Sequence, residues 1–189
     1  MPRSLIAFVH IVDRMNYRIG RFAMYLLFVL MGILLWSSIS KAAGQPALWT
    51  LEMAQFAMVA YYILGGPYSM QMGNHVRMDL LYAGWSDRKK AGWDAATVLI
   101  LIFYLVILLL GGIQSTVYAV KLTFEPTAVA WLPFDMPLPR TGYLERSPTA
   151  WRPYLWPIKL VMCLGFLLMI LQALAVLIRD IATIRGKAI

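Results

Sequence analysis

The sequence predicts an all-α integral membrane protein with four membrane-spanning helices, and three observations predict it. Four stretches, residues 22–40, 53–74, 95–120 and 160–178, each have the length of a bilayer-crossing helix and hold no Asp, Glu, Lys, Arg or His. A hydrocarbon core of about 30 Å needs roughly 20 apolar residues in a helix rising about 1.5 Å per residue. The whole chain is 61% hydrophobic, with a mean hydropathy of +0.68, far outside the range of soluble domains. Basic residues gather beside the spans, as they do where a chain is threaded through a bilayer.

Before the first span, Leu5, Phe8, Val9, Val12, Met15 and Ile19 recur at helical spacing, and Ser4, Asp13, Arg14 and Arg18 fall on other faces. Residues 3–19 are therefore expected to form an amphipathic helix lying along the bilayer surface, in contact with membrane lipid, the alternative being a plain extension of the first span. Residues 22–40 are too long for the apolar core of a signal peptide and are read as a retained span.

The second span, 53–74, contains Gly65-Gly66-Pro67, and the proline removes a backbone donor from the helix. Glu52, Gln55, Val59, Tyr62, Gly66, Ser69 and Gly73 recur every third or fourth residue, a polar and small face suited to packing on protein. The third span, 95–120, offers Gly111 and Ser115 for close approach, and the fourth, 160–178, offers Gly165, Gln172 and Ala173. Between them, residues 121–158 hold seven of the ten prolines together with Trp131, Trp151 and Trp156. Proline density forbids a long helix there, and the tryptophans suit the membrane interface. An ordered extracytoplasmic loop is expected.

Lys and Arg counts orient the chain. The N-terminal segment, the second connection and the C-terminal tail hold eleven, and the opposite side holds six spread over longer connections. Both termini are thus expected in the cytoplasm. The formal charge of +8 sits beside membrane segments and not on a separate patch, which argues against nucleic acid as a partner. The one cysteine, Cys163, can form no intrachain disulfide.

Chemistry inside a membrane needs charged or ligating groups at depth, and the spans supply none. Haem anchoring would need histidines within the helices, yet His10 and His75 both fall at the expected cytoplasmic edge. No catalytic, substrate-binding, cofactor-binding or metal-binding residue is assigned, no cofactor is expected, and the chain is not read as an enzyme. Two clusters remain. Trp49 and Glu52 stand at the outer end of the second span, where an anion is favoured by the first turn of a helix. At its inner end, His75, Arg77 and Asp79 fall within five residues, and a continuing helix would set His75 beside Asp79.

Trp49-x-x-Glu52, an apolar run with a mid-span glycine, and then His75-Val76-Arg77-Met78-Asp79-Leu80-Leu81 together resemble the small, DctQ-type membrane subunit of TRAP (tripartite ATP-independent periplasmic) transporters. The four spans, cytoplasmic termini and leading surface helix fit the same family, and the connection over residues 121–158 is longer than in its compact members. The resemblance implies a scaffold subunit in the bacterial inner membrane. It would support a large multi-span subunit of the elevator type, which holds the sodium and substrate sites. A periplasmic binding protein would deliver the organic acid. Trp49, Glu52, His75, Arg77 and Asp79 are then family-pattern positions for folding and subunit contact. Two other readings fit the span count alone: the membrane anchor of a redox complex, and a small homo-oligomeric channel or exporter.

Overall fold

The computed structural model describes residues 3–73, 87–120, 122–127, 136–141 and 144–186. Four helices carry the architecture: α1 (Arg3–Ala42), α2 (Thr50–Gln71), α3 (Asp87–Val120) and α4 (Trp156–Ile184). Three of them, α1, α3 from Lys89 onward and α4, are long and apolar enough to cross a membrane. At 22 residues α2 spans about 33 Å, also sufficient in length. Glu52, Gln55, two adjacent tyrosines and Gly65-Gly66-Pro67 make it less apolar than α3 and α4.

The separate surface helix expected over 3–19 is not formed as such. Residues 3–42 are one uninterrupted helix of 40 residues. Nothing between Asp13 and Phe22 can break it, because a lone interior glycine such as Gly20 costs only about 1 kcal/mol and no proline is present. Gly20 is instead a contact, since a Cβ there would lie 2.3 Å from the Cβ of Tyr68. The other expected boundaries shift by a few residues. The second helix ends at Gln71, ahead of Gly73, whose φ of +67° suits the left-handed residue that follows a helix. Pro157 sits in the first turn of α4, where its missing N–H is harmless.

The helices alternate in direction. Across α1 and α2, Thr50 meets Ser37 at one end and Tyr68 meets Gly20 towards the other. Parallel to α2 runs α4, with Ile63 against Gly165 and Gly66 against Met169. Antiparallel to α4 runs α3, with Gly112 and Thr116 against Cys163. The first half of α1 closes on the second half of α4 through Val9, Val12 and Ala175, flanked by Phe8, Leu171 and Ile178. Hence α2 and α4 occupy the middle, while α3 packs chiefly on α4 and leaves most of its circumference open. The bundle has a termini end, where α1 starts and α4 finishes, and a loop end at the α1–α2 turn.

The connection at the loop end is not wholly without regular structure, a departure from the all-α expectation. β1 (Leu122–Thr127) pairs antiparallel with β2 (Met136–Thr141), from Leu122 opposite Thr141 to Thr127 opposite Met136. Proline excludes helix but tolerates extended backbone in a two-stranded ribbon whose outer edges need no ladder partner. Pro126 faces Pro137 in this ribbon.

Close contact fixes two crossings. In α2, Pro67 cannot donate to the Ile63 carbonyl four residues earlier. That carbonyl and the Ile63 side chain lie against Gly165, where a Cβ would come 1.8 Å from Ile63 Cγ2 and 3.2 Å from the Ile63 oxygen. In α3 it is Gly112, not the expected Gly111, that meets α4: a Cβ on Gly112 would lie 3.1 Å from Cys163 Sγ, whereas one on Gly111 meets nothing within 4 Å. Thr116 likewise faces α4, 3.4 Å from Cys163 Sγ, while donating to the Gly112 carbonyl at 2.7 Å. Ser115 contributes only its carbonyl, to Lys159.

Candidate functional site: two polar clasps

Polar side chains buried among apolar helices must find hydrogen-bond partners, and here they do so in two groups at opposite ends of the bundle. At the loop end, Trp49 stands just before α2, half-exposed, its carbonyl accepting from the Met53 amide at 3.1 Å. Its side chain caps nothing. Thr50 is buried, donates to the Ala47 carbonyl at 2.9 Å and lies 3.1 Å from the Ser37 hydroxyl, tying the α1–α2 turn.

Glu52 is 3% exposed. Its Oε1 accepts from the Ser147 hydroxyl at 3.3 Å, and Thr149 lies 3.0 Å from the same hydroxyl. Its Oε2 has no partner among the described residues. A first-turn role satisfying α2's own amides is therefore not the contact the side chain makes. It grips the segment 144–155, which is pinned elsewhere too. The Glu145 amide donates to the Ala119 carbonyl at the end of α3 (2.8 Å), and the Leu155 amide donates to the Glu145 carbonyl (3.2 Å). Lys159 of α4 pairs with Glu145 Oε2 at 2.6 Å and donates to the Ser115 carbonyl of α3 at 3.3 Å. Arg146 bridges to Tyr154 and lies over its ring, 4.5 Å from the centroid. The segment thus acts as a strap joining α2, α3 and α4.

Ser147→Ala should leave the buried Glu52 carboxylate short of a donor, at about 1–3 kcal/mol. Faster amide exchange over residues 145–155 is the expected readout. Glu52→Gln keeps an acceptor and should perturb the strap less. Equal exchange in parent and Ser147→Ala proteins would show that the strap is held by its other contacts alone.

The second clasp lies towards the termini end, between α1 and α4. Asn16 and Gln172 are 1% and 0% exposed. The Asn16 amide donates to Gln172 Oε1 at 2.7 Å, and the Gln172 amide donates to Asp13 Oδ1 at 3.1 Å. Arg179 pairs with the other oxygen of Asp13. One turn of α1 and two of α4 are thereby stitched together, with only Asn16 Oδ1 left without a described partner. Asp13 and Arg179 each stand at the edge of an apolar run, so the ion pair is not sunk among apolar side chains.

Of the sequence-singled positions, Trp49 and Glu52 belong to the loop-end clasp, whereas His75, Arg77 and Asp79 lie outside the described residues. The expected packing face of α2 divides: Glu52 and Gly66 turn inward, but Gln55, Tyr62 and Ser69 are exposed. Ser147, Lys159, Asp13 and Asn16 escaped sequence reasoning. For Asn16 a signal exists, since it interrupts the stripe Val9, Val12, Gly20, Ala23 as the one amide on a buried face. Among the described residues no group of three or more His, Cys, Asp or Glu side chains is placed to hold a metal ion.

Comparison with known proteins adds one match. A family model described as "Tripartite ATP-independent periplasmic transporters, DctQ component" covers residues 30–140, a stretch that includes Trp49, Glu52, His75, Arg77 and Asp79. Neither curated proteins nor solved structures give a match.

Proposed function

The chain belongs to the DctQ family, the small membrane component of tripartite ATP-independent periplasmic transporters, and from that premise we propose that it is the fixed scaffold of a sodium-coupled importer of an organic acid. Its partners in this reading are a large elevator-type membrane subunit and a periplasmic binding protein. It sits in the bacterial inner membrane with both termini cytoplasmic. The observation that carries the scaffold role is the two-ended clasping of the bundle. Polar groups at the loop end bind α2, α3 and α4 through one strap, and those at the termini end bind α1 to α4.

A scaffold must resist drag while a neighbour slides against it, which calls for rigid helix contacts and no ionisable group at depth. The four charge-free stretches suit that duty and leave ion and substrate binding to the large subunit. The protein itself binds no substrate and catalyses no reaction. Family membership outweighs the redox-anchor and homo-oligomeric channel readings, which rest on span count alone.

The direct test is a mild-detergent pull-down from native membranes, with partners identified by mass spectrometry and the visible spectrum recorded. A co-purifying protein of many spans and a colourless sample support the proposal. A haem spectrum, or recovery as a homo-oligomer without that partner, would overturn it. In the same assay Arg77→Ala and Asp79→Ala should lose assembly or transport while the binding protein still captures substrate. Parent-like assembly and transport by both would remove the interface role from that motif.

A further inference from the structure

The leading section of α1 carries charge that the fold leaves unpaired. Arg3, His10, Arg14, Arg18 and Arg21 are all exposed and follow one another at seven, four, four and three residues, so they form one row along the helix. Asp13, the one acid on α1, is turned to Gln172 and Arg179 instead. Arg21 donates to the Tyr17 hydroxyl at 3.3 Å, whereas Arg14 and Arg18 make no hydrogen bond or ion pair to a described residue. Beside that pair runs an apolar edge. A groove in the outer face of α1 has His10, Arg14 and Arg18 along one side and Ile11, Met15 and Ile19 along the other. Phe22, also exposed, continues the apolar side.

The register of the bundle sets the depth of this groove. Residues 3–42 are one helix whose first half packs on α4, so the basic row does not lie flat on the bilayer but descends with α1. Asn16 meets Gln172, six residues short of the end of the charge-free stretch 160–178, and Gly20 meets Tyr68, six residues short of the end of 53–74. Two neighbours thus put the level of Arg18 about 9 Å inside the apolar slab, at about 1.5 Å per residue. An arginine there must reach back to the headgroups along its own methylene stem or draw a phosphate down to itself. We propose that Arg14 and Arg18 clamp the phosphate of an anionic phospholipid in the leaflet at the termini end, with an acyl chain running down the edge Met15, Ile19 and Phe22. Guanidinium forks match phosphate oxygens, and the surplus of positive charge along the row favours a lipid of net negative charge over a zwitterionic one. A basic flank that only oriented the chain would need neither a single face nor an apolar edge beside it. Nothing in this site depends on the transporter reading, only on the bilayer.

The test is lipid retention by the full chain. Protein purified in mild detergent is titrated with phosphatidylglycerol or with phosphatidylcholine of the same acyl chains, and bound lipid is followed by native mass spectrometry. Saturable binding of phosphatidylglycerol in preference to phosphatidylcholine is the expected result. Arg14→Gln combined with Arg18→Gln should bind it roughly thirtyfold more weakly, about fivefold for each arginine beside an anionic surface. Lys89→Gln combined with Lys90→Gln removes the same charge from α3 and should bind like the parent. Equal binding of the two lipids by the parent overturns the site, and so does an equal loss from the two double variants. Displacement of the lipid by glycerol phosphate would make the row a general anion site and overturn the lipid assignment. If the Arg14, Arg18 double variant keeps its lipid but loses a co-purifying membrane subunit, the row is a protein contact and the lipid site is likewise overturned.

Discussion

Gly165→Leu is expected to be the most damaging single substitution in the bundle. At Gly165 the backbones of α2 and α4 approach so closely that even one added carbon would lie 1.8 Å from Ile63 Cγ2. Rotation of the Ile63 side chain cannot relieve the clash entirely, because the Ile63 carbonyl is only 3.2 Å from the same point. Backbone must then separate from backbone, and α2 and α4 are the two central helices. Overpacking of a core typically destabilises by about 1–3 kcal/mol, and a leucine against backbone should reach or exceed the upper figure. The measurement is thermal unfolding in detergent together with recovery of monodisperse protein. Gly165→Ala should be milder, and Ile63→Ala in the same chain should restore part of its loss by removing Cγ2. A Gly165→Leu protein as stable as the parent would mean that the helices do not cross at this point. Gly111→Leu serves as the control, since that site faces open space.

Gln172→Leu should rank second. Gln172 is fully buried and is the hub of the termini-end clasp, accepting from Asn16 and donating to Asp13. Leucine fills the volume but strands the Asn16 amide and removes one donor from the Asp13 carboxylate. Each buried group left unsatisfied costs about 1–3 kcal/mol, more where it is charged. Adding Asn16→Leu removes the stranded partner, so the double variant should lose less stability than the two single changes summed. Simple additivity in that double-mutant cycle would show that the two amides do not interact. Arg179→Met should weaken the clasp less, because Asp13 keeps the Gln172 amide and is partly open to solvent.

Much of this architecture is visible in the chain itself, and the portion that is not has a common cause. Segments without charge over the thickness of a bilayer leave the backbone no partner but itself, so residues 22–40, 95–120 and 160–178 read as helices from composition alone. Proline density likewise argues against one long helix through residues 121–158, and the pairing of Trp49-x-x-Glu52 with His75-Val76-Arg77-Met78-Asp79 carries the family resemblance. The phase of each helix is a different matter. Periodicity places Gly111 and Gly112 in one short stretch but does not say which turns to α4, since nearly every side chain there is apolar or small. The same ambiguity merged Glu52 and Gly66 with Gln55, Tyr62 and Ser69 into one face of α2, although the folded bundle points them in two directions.

By itself, then, the sequence determined the helical class, the span count expected of the chain, its freedom from charge at depth and its kinship. These depend on local composition and on motifs a few residues long. Only the tertiary structure decided that residues 3–19 and 22–40 are one helix and that Glu52 holds a strap through Ser147, 95 residues away. It alone joined Asn16 to Gln172 across 156 residues. Such pairs are set by helix rotation and register, which follow from close contacts at Gly20, Gly112 and Gly165 and leave no periodic trace along the chain.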